Sequence, residues 1–117
     1  MTKHKIELNV TLDADKMPEH IDWIAPGGGQ DTPKPAKSFL LSLWDPSEKT
    51  ALSIDLWTKR MMVDEMNDFF FQTMMSLAKT YENATTNQEL AEELRTFAHG
   101  FKRKADEKMM KDQESNQ

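Results

Sequence analysis

The stretch Lys37-Ser-Phe-Leu-Leu-Ser-Leu-Trp-Asp-Pro-Ser-Glu-Lys-Thr-Ala-Leu-Ser-Ile-Asp-Leu-Trp57, followed by Val63 to Tyr81, decides the fold. Together with the short link Thr58 to Met62 it holds two of the three tryptophans and four of the six phenylalanines. In its first half Phe39, Leu41 and Leu43 alternate with other residues, as do Leu52, Ile54 and Leu56. A period of two marks strands with one apolar face. Asp45-Pro46-Ser47-Glu48 reads as the turn between them, with proline in its favoured second position. Pairing Leu41 with Leu52 sets Phe39 opposite Ile54 and Leu43 opposite Thr50, so that apolar meets apolar. The other face, Leu40, Ser42, Trp44, Ala51, Ser53, Asp55 and Trp57, is mixed.

The period then changes. At roughly 100° per residue Val63, Met66, Phe70, Thr73, Met74, Leu77 and Tyr81 share one helical stripe. Asp64 and Glu65 stand at its start, where carboxylates suit the helix dipole. Asn83-Ala84-Thr85-Thr86 is expected to end this helix. A capping-box pattern, Thr86 to Glu89, opens a second one. Its stripe is Leu90, Leu94, Phe97, Phe101 and Ala105. Gly100 interrupts it at a cost of about 1 kcal/mol relative to alanine.

Upstream, Ile6, Leu8, Val10 and Leu12 alternate with polar residues, predicting a strand over 5–12. Asp13-Ala14-Asp15-Lys16 supplies a turn, and residues 19–25 read as a second strand. Pro26-Gly27-Gly28-Gly29 to Pro35 reads as a loop between hairpins. It lacks the lysine, hydroxyl and following helix of a phosphate-binding loop. The expectation is an α+β fold: a four-stranded antiparallel sheet of two hairpins, with two C-terminal helices packed on one face. Residues 1–109 form a single domain in this reading, and 110–117 a disordered polar tail.

With 117 residues, 38% of them hydrophobic and 30% charged, the chain can bury one modest core. The absence of cysteine excludes disulfides, thiolate catalysis and cysteine-ligated metal within the chain. A net charge of −5 argues against nucleic acid or anionic lipid as partners. No apolar run is long enough for a membrane helix, and Met1 to Val10 has no secretory pattern, so a cytoplasmic protein is expected.

Candidate chemistry is sparse. His4, His20 and His99 are far apart, with no metal-binding spacing among them. His20 and Asp22 share a strand face, where a solvated pair is the plain alternative to proton transfer. Lys59 and Arg60 are too few to define an anion site. Asp55 beside Trp57, with Trp44 on the same face, is the candidate for a ligand pocket or acid–base site. Its bland counterpart is a partly exposed sheet face. Phe71 and Met75 are the remaining feature. They are four residues apart on the first helix and lie off its core stripe. Either the second helix covers them or another molecule does. The residues therefore predict no catalytic group, cofactor or metal.

A family resemblance runs through the same stretch. Trp44-Asp45-Pro46, Glu48-Lys49, Ile54-Asp55-Leu56-Trp57-Thr58-Lys59, Val63-Asp64-Glu65-Met66, Phe69-Phe70, Gln72-Thr73 and Tyr81-Glu82-Asn83-Ala84-Thr85 keep unbroken spacing. With Pro18-Glu19 and Ile21 to Trp23, this pattern resembles the gliding motility-associated GldC proteins of Bacteroidetes. Met62 departs from the proline expected before the helix, and the chain beyond Met109 is less typical. The resemblance implies a non-catalytic cytoplasmic accessory of gliding motility, linked to the type IX secretion machinery. It implies protein partners, with a GldB-like lipoprotein as a candidate, and leaves a homodimer open. It supplies no catalytic residue or cofactor.

Overall fold

The computed structural model describes residues 1–115. They form β1 (Glu7–Leu12), β2 (Pro18–Ala25), β3 (Gln30–Ala36), β4 (Ser38–Asp45), β5 (Thr50–Trp57), α1 (Val63–Thr85) and α2 (Gln88–Ser115). Two compact units follow one another, the first ending at Met61 and the second beginning at Met62.

The first unit corrects the expected sheet. Five strands make two antiparallel sheets, β1-β2-β3 and β4-β5, in place of one four-stranded sheet. The extra strand is β3, within the proline- and glycine-rich segment expected to be a loop. Only Pro26 to Gly29 act as its turn. Gly27 and Gly29 have φ of 82° and 97°, which a side chain would strain. The Gly28 amide donates to the Ala25 carbonyl and the Gly27 amide to Asp31 Oδ1, which closes that turn. Pro33 and Pro35 then fit because β3 is an edge strand, where a missing amide leaves no ladder bond unmade. Pairing slips between Trp23 and Ala25, next to these prolines.

β2 is the middle strand and carries the only large side chain that is fully buried among the described residues, Ile21. Val10 lies opposite it on β1 and Ala36 on β3. The β1–β2 turn is built by Asp13, whose Oδ1 accepts from the amides of Asp15 and Met17. Lys16, at φ 62°, supplies the left-handed residue that closes a three-residue loop.

In the second hairpin the pairing is Leu41 with Ile54, Leu43 with Leu52 and Phe39 with Leu56. The expected register is two residues away, so the same residues still share each face. Proline explains the slip. The expected register would need a two-residue loop at Pro46-Ser47, and the favoured types demand a positive φ at the first position. Proline holds φ near −65°. The chain instead uses a four-residue loop, with Asp45 Oδ1 accepting from Ser47 and Glu48 and Lys49 left-handed at φ 53°. The apolar face so formed stays open, with Leu43, Leu52 and Ile54 all exposed.

The second unit is an antiparallel helical hairpin. α1 ends within the expected Asn83-Ala84-Thr85-Thr86 segment. It stops where Thr86 adopts φ 58°, ψ 14° and its amide donates to the Glu82 carbonyl at 2.8 Å. Asn87, not Thr86, caps α2: its Oδ1 accepts from the Leu90 amide at 3.1 Å. With Thr86 spent on the left-handed stop, the next residue must serve as cap. At the α1 start, Glu65 accepts from the Met62 amide, so the helix begins cleanly without proline. α2 continues through Ser115, so residues 110–115 of the expected disordered tail are helical. The rest of that tail, residues 116–117, lies outside the described residues.

Ile21→Ala should lower stability by about 2–5 kcal/mol, read from urea unfolding, because nothing nearby can refill a fully enclosed site. Asn87→Ala should cost about 1 kcal/mol. Thr86→Gly should act in the opposite direction by relieving a β-branched residue in the left-handed region, worth about 1–2 kcal/mol. Equal effects of the last two would contradict the described junction.

Candidate interaction face

The seam between the helices is made of small residues. Ala78 of α1 and Ala91 and Ala98 of α2 are completely buried. Around them Asp68 pairs with Lys102 at 3.1 Å and Glu82 with Arg95 at 3.1 Å. Phe71 meets the His99 ring at 5.3 Å, edge to face. Arg95 also binds Glu92, and Lys102 also binds Asp106. Glu82 is the main cause holding the Arg95 guanidinium charge more firmly than usual, followed by Glu92. Asp106, followed by Asp68, raises the Lys102 ammonium.

This seam leaves much of the richest apolar stripe exposed. Val63 is 66% exposed, Phe70 41% and Leu77 54%. They recur every seven residues, so they stay on one side of α1 with little drift. On α2 Leu90 and Phe97 are likewise seven apart, and Phe97 is 65% exposed. Val63, Phe97, Phe101, Ala105 and Met109 line one groove of about 420 Å³. That groove places the two stripes on the same side of the hairpin. Lys104 and Lys108 border it.

The sequence reading assigns Val63, Phe70 and Leu77 to the core because they are the most apolar stripe. The alanines at 78, 91 and 98 were the signal that another side forms the seam, since small side chains let helices approach closely. Phe71 and Met75 are each half-buried, and Phe71 lies in the seam against His99.

Trp44, Asp55 and Trp57 do share a face of the β4–β5 hairpin, but they are spread along it. Trp44 lies opposite Ala51 and Trp57 opposite Ser38, so six residues of strand, about 20 Å, separate the indoles. Both indoles and Asp55 are exposed. The three are not brought together around one pocket. His20 Nε2 and Asp22 Oδ2 are 3.7 Å apart, and the Asp22 carboxylate accepts from Asn9 at 3.1 Å. A shallow hollow of about 320 Å³ beside His20 mixes Glu19, Lys37, Thr58 and Arg60. Among the described residues no three acidic or histidine side chains gather around a common metal position. No helix among them is long and apolar enough to cross a membrane.

Two residues of the Thr58-Lys59 pair have structural tasks. Thr58 is buried, and both its amide and its hydroxyl donate to the Lys37 carbonyl at 2.8 and 2.9 Å. Lys59 reaches the first turn and binds Asp13 Oδ2 at 2.9 Å.

The geometry defines a small α+β protein whose helical hairpin keeps its larger apolar stripe outside its own seam. Residues 18–107 match the family model described as gliding motility-associated protein GldC-like, and the chain belongs to the GldC-like family. The match begins at the first residue of β2 and ends within α2. No curated protein and no solved structure matches the chain.

The Lys59 contact, then the Met17 amide, hold the Asp13 carboxyl below the usual carboxylate range. A lowered folded-state value gives stability that is present above the unfolded value near about 4 and lost as pH falls through the folded value. Lys59 is raised in turn, chiefly by Asp13, so its share is present below about 10.5 and lost as pH rises through the folded value. Lys59→Met should move the Asp13 carboxyl midpoint upward in a carbon-13 NMR titration, with part of the depression kept by the two amides. An unmoved midpoint would remove Lys59 as its main cause.

Proposed function

We propose that this protein is a non-catalytic accessory of gliding motility that works by protein–protein contact through the open apolar face of its helical hairpin. The family places it among gliding motility-associated proteins. The observation that carries the contact reading is the exposure of Val63, Phe70, Leu77 and Phe97 on one side of the hairpin. Large apolar side chains gathered in one patch lose favourable free energy when left in water, and such patches mark contact sites. The site of action in this reading is the cytoplasm, beside the type IX secretion-linked machinery, with a GldB-like lipoprotein as a candidate partner. Phe71 and Met75, both half-buried, add surface to this reading, and Phe71 also meets His99 across the seam.

Val63→Lys with Leu77→Lys should abolish colony spreading while the helical circular dichroism signal and melting temperature stay near wild type. Phe71→Lys should lower the melting temperature, because it places a charge against His99 in the seam. Full spreading by a folded Val63→Lys/Leu77→Lys variant would overturn the contact reading.

A further inference from the structure

We infer that the occupant of this face is a second copy of the chain, joined by a two-fold axis into an antiparallel four-helix bundle. The inference rests on the reading above that the face is a contact surface, and it names the partner.

The argument is self-complementarity. In an isologous contact each residue i meets a partner residue j, and j meets i. Two antiparallel copies of α2 are in register when the paired residue numbers have a constant sum. Glu93 and Lys104 stand on the same side of α2 as Phe97, by helical spacing. Neither has an ion-pair partner among the described residues. Setting Glu93 of one copy against Lys104 of the other places Phe97 against Gly100, twice over. Gly100 is a costly residue for the middle of a helix, and a Cβ there would meet nothing within 4 Å. Nothing inside the chain requires the glycine. A phenyl ring arriving from a second copy would.

The same axis serves α1. Within the hairpin Phe71 lies level with His99, and Asp68 with Lys102. The axis at Ala98 and His99 therefore crosses α1 at Phe71 and Gln72. About that point Leu77 falls opposite Met66 of the second copy, and Phe70 opposite Thr73. All four belong to one stripe of α1, on which Phe70 and Leu77 are exposed and Met66 and Thr73 half-buried. One axis thus matches opposite charges on α2, a large residue with a gap on α2, and Leu77 with Met66 on α1. Paired helices stacked in this way are a standard four-helix packing.

Sedimentation equilibrium of the full chain across micromolar concentrations tests this. A dimer is expected for wild type. Glu93→Lys and Lys104→Glu should each weaken it about tenfold or more, and the double exchange should restore it. Gly100→Leu should also give a monomer, while its helical signal holds or rises, because leucine favours helix over glycine. A wild-type monomer, a double exchange that fails to restore the dimer, or a dimeric Gly100→Leu each overturns the proposal. Colony spreading of the same variants separates this from the contact reading. A monomeric wild type whose spreading still depends on Val63 and Leu77 points to a different protein on the face, and defeats the dimer alone.

Discussion

Close approach of two helices through alanine is the constraint on which the second unit depends. Ala78, Ala91 and Ala98 bury completely because their side chains leave no bulk between the backbones. That geometry rotates both helices. Once the alanine sides meet, Val63, Phe70 and Leu77 on α1 and Phe97 on α2 must lie to one side of the seam. The ion pairs Asp68–Lys102 and Glu82–Arg95 then bridge the seam at its margins. The exposed apolar face is thus a consequence of which residues are small, more than of which are large.

The first unit is governed by how the chain turns. Asp13 and Asp45 do the same work in the two hairpins, each accepting two backbone amides through one carboxylate oxygen. Each turn closes on a left-handed lysine, Lys16 or Lys49. The segment after β5 ties back to the β3–β4 junction and to the β1–β2 turn, since Thr58 holds the Lys37 carbonyl and Lys59 holds Asp13. This accounts for the Thr58-Lys59 part of the family pattern in structural terms, without a catalytic role for either residue.

These two units give the family membership a physical setting. The helical hairpin carries exposed large apolar side chains at Val63, Phe70 and Leu77 on α1 and Phe97 on α2. The Trp44–Asp55–Trp57 face is less suited to a small ligand, because an extended two-stranded hairpin holds its two indoles far apart. Small-molecule sites need walls that converge.

The sequence by itself determined the α+β class, β1, β2, β4 and β5, both helices and the family resemblance. Those features are set by local chemistry: alternation along a strand, periodicity along a helix, and turn residues such as Asp13 and Asp45. Only the tertiary structure decided that Gln30–Ala36 pairs as a strand, since proline is tolerated there by virtue of the edge position and not by any local signal. The hairpin register followed a local rule that alternation does not contain: both pairings satisfied the faces, and the φ that proline holds at Pro46 excludes one. The side of α1 that meets α2 was again a tertiary choice. Hydrophobicity ranks stripes by what burial would gain, whereas packing selects the pair of surfaces that fit, and here the fit belongs to alanine.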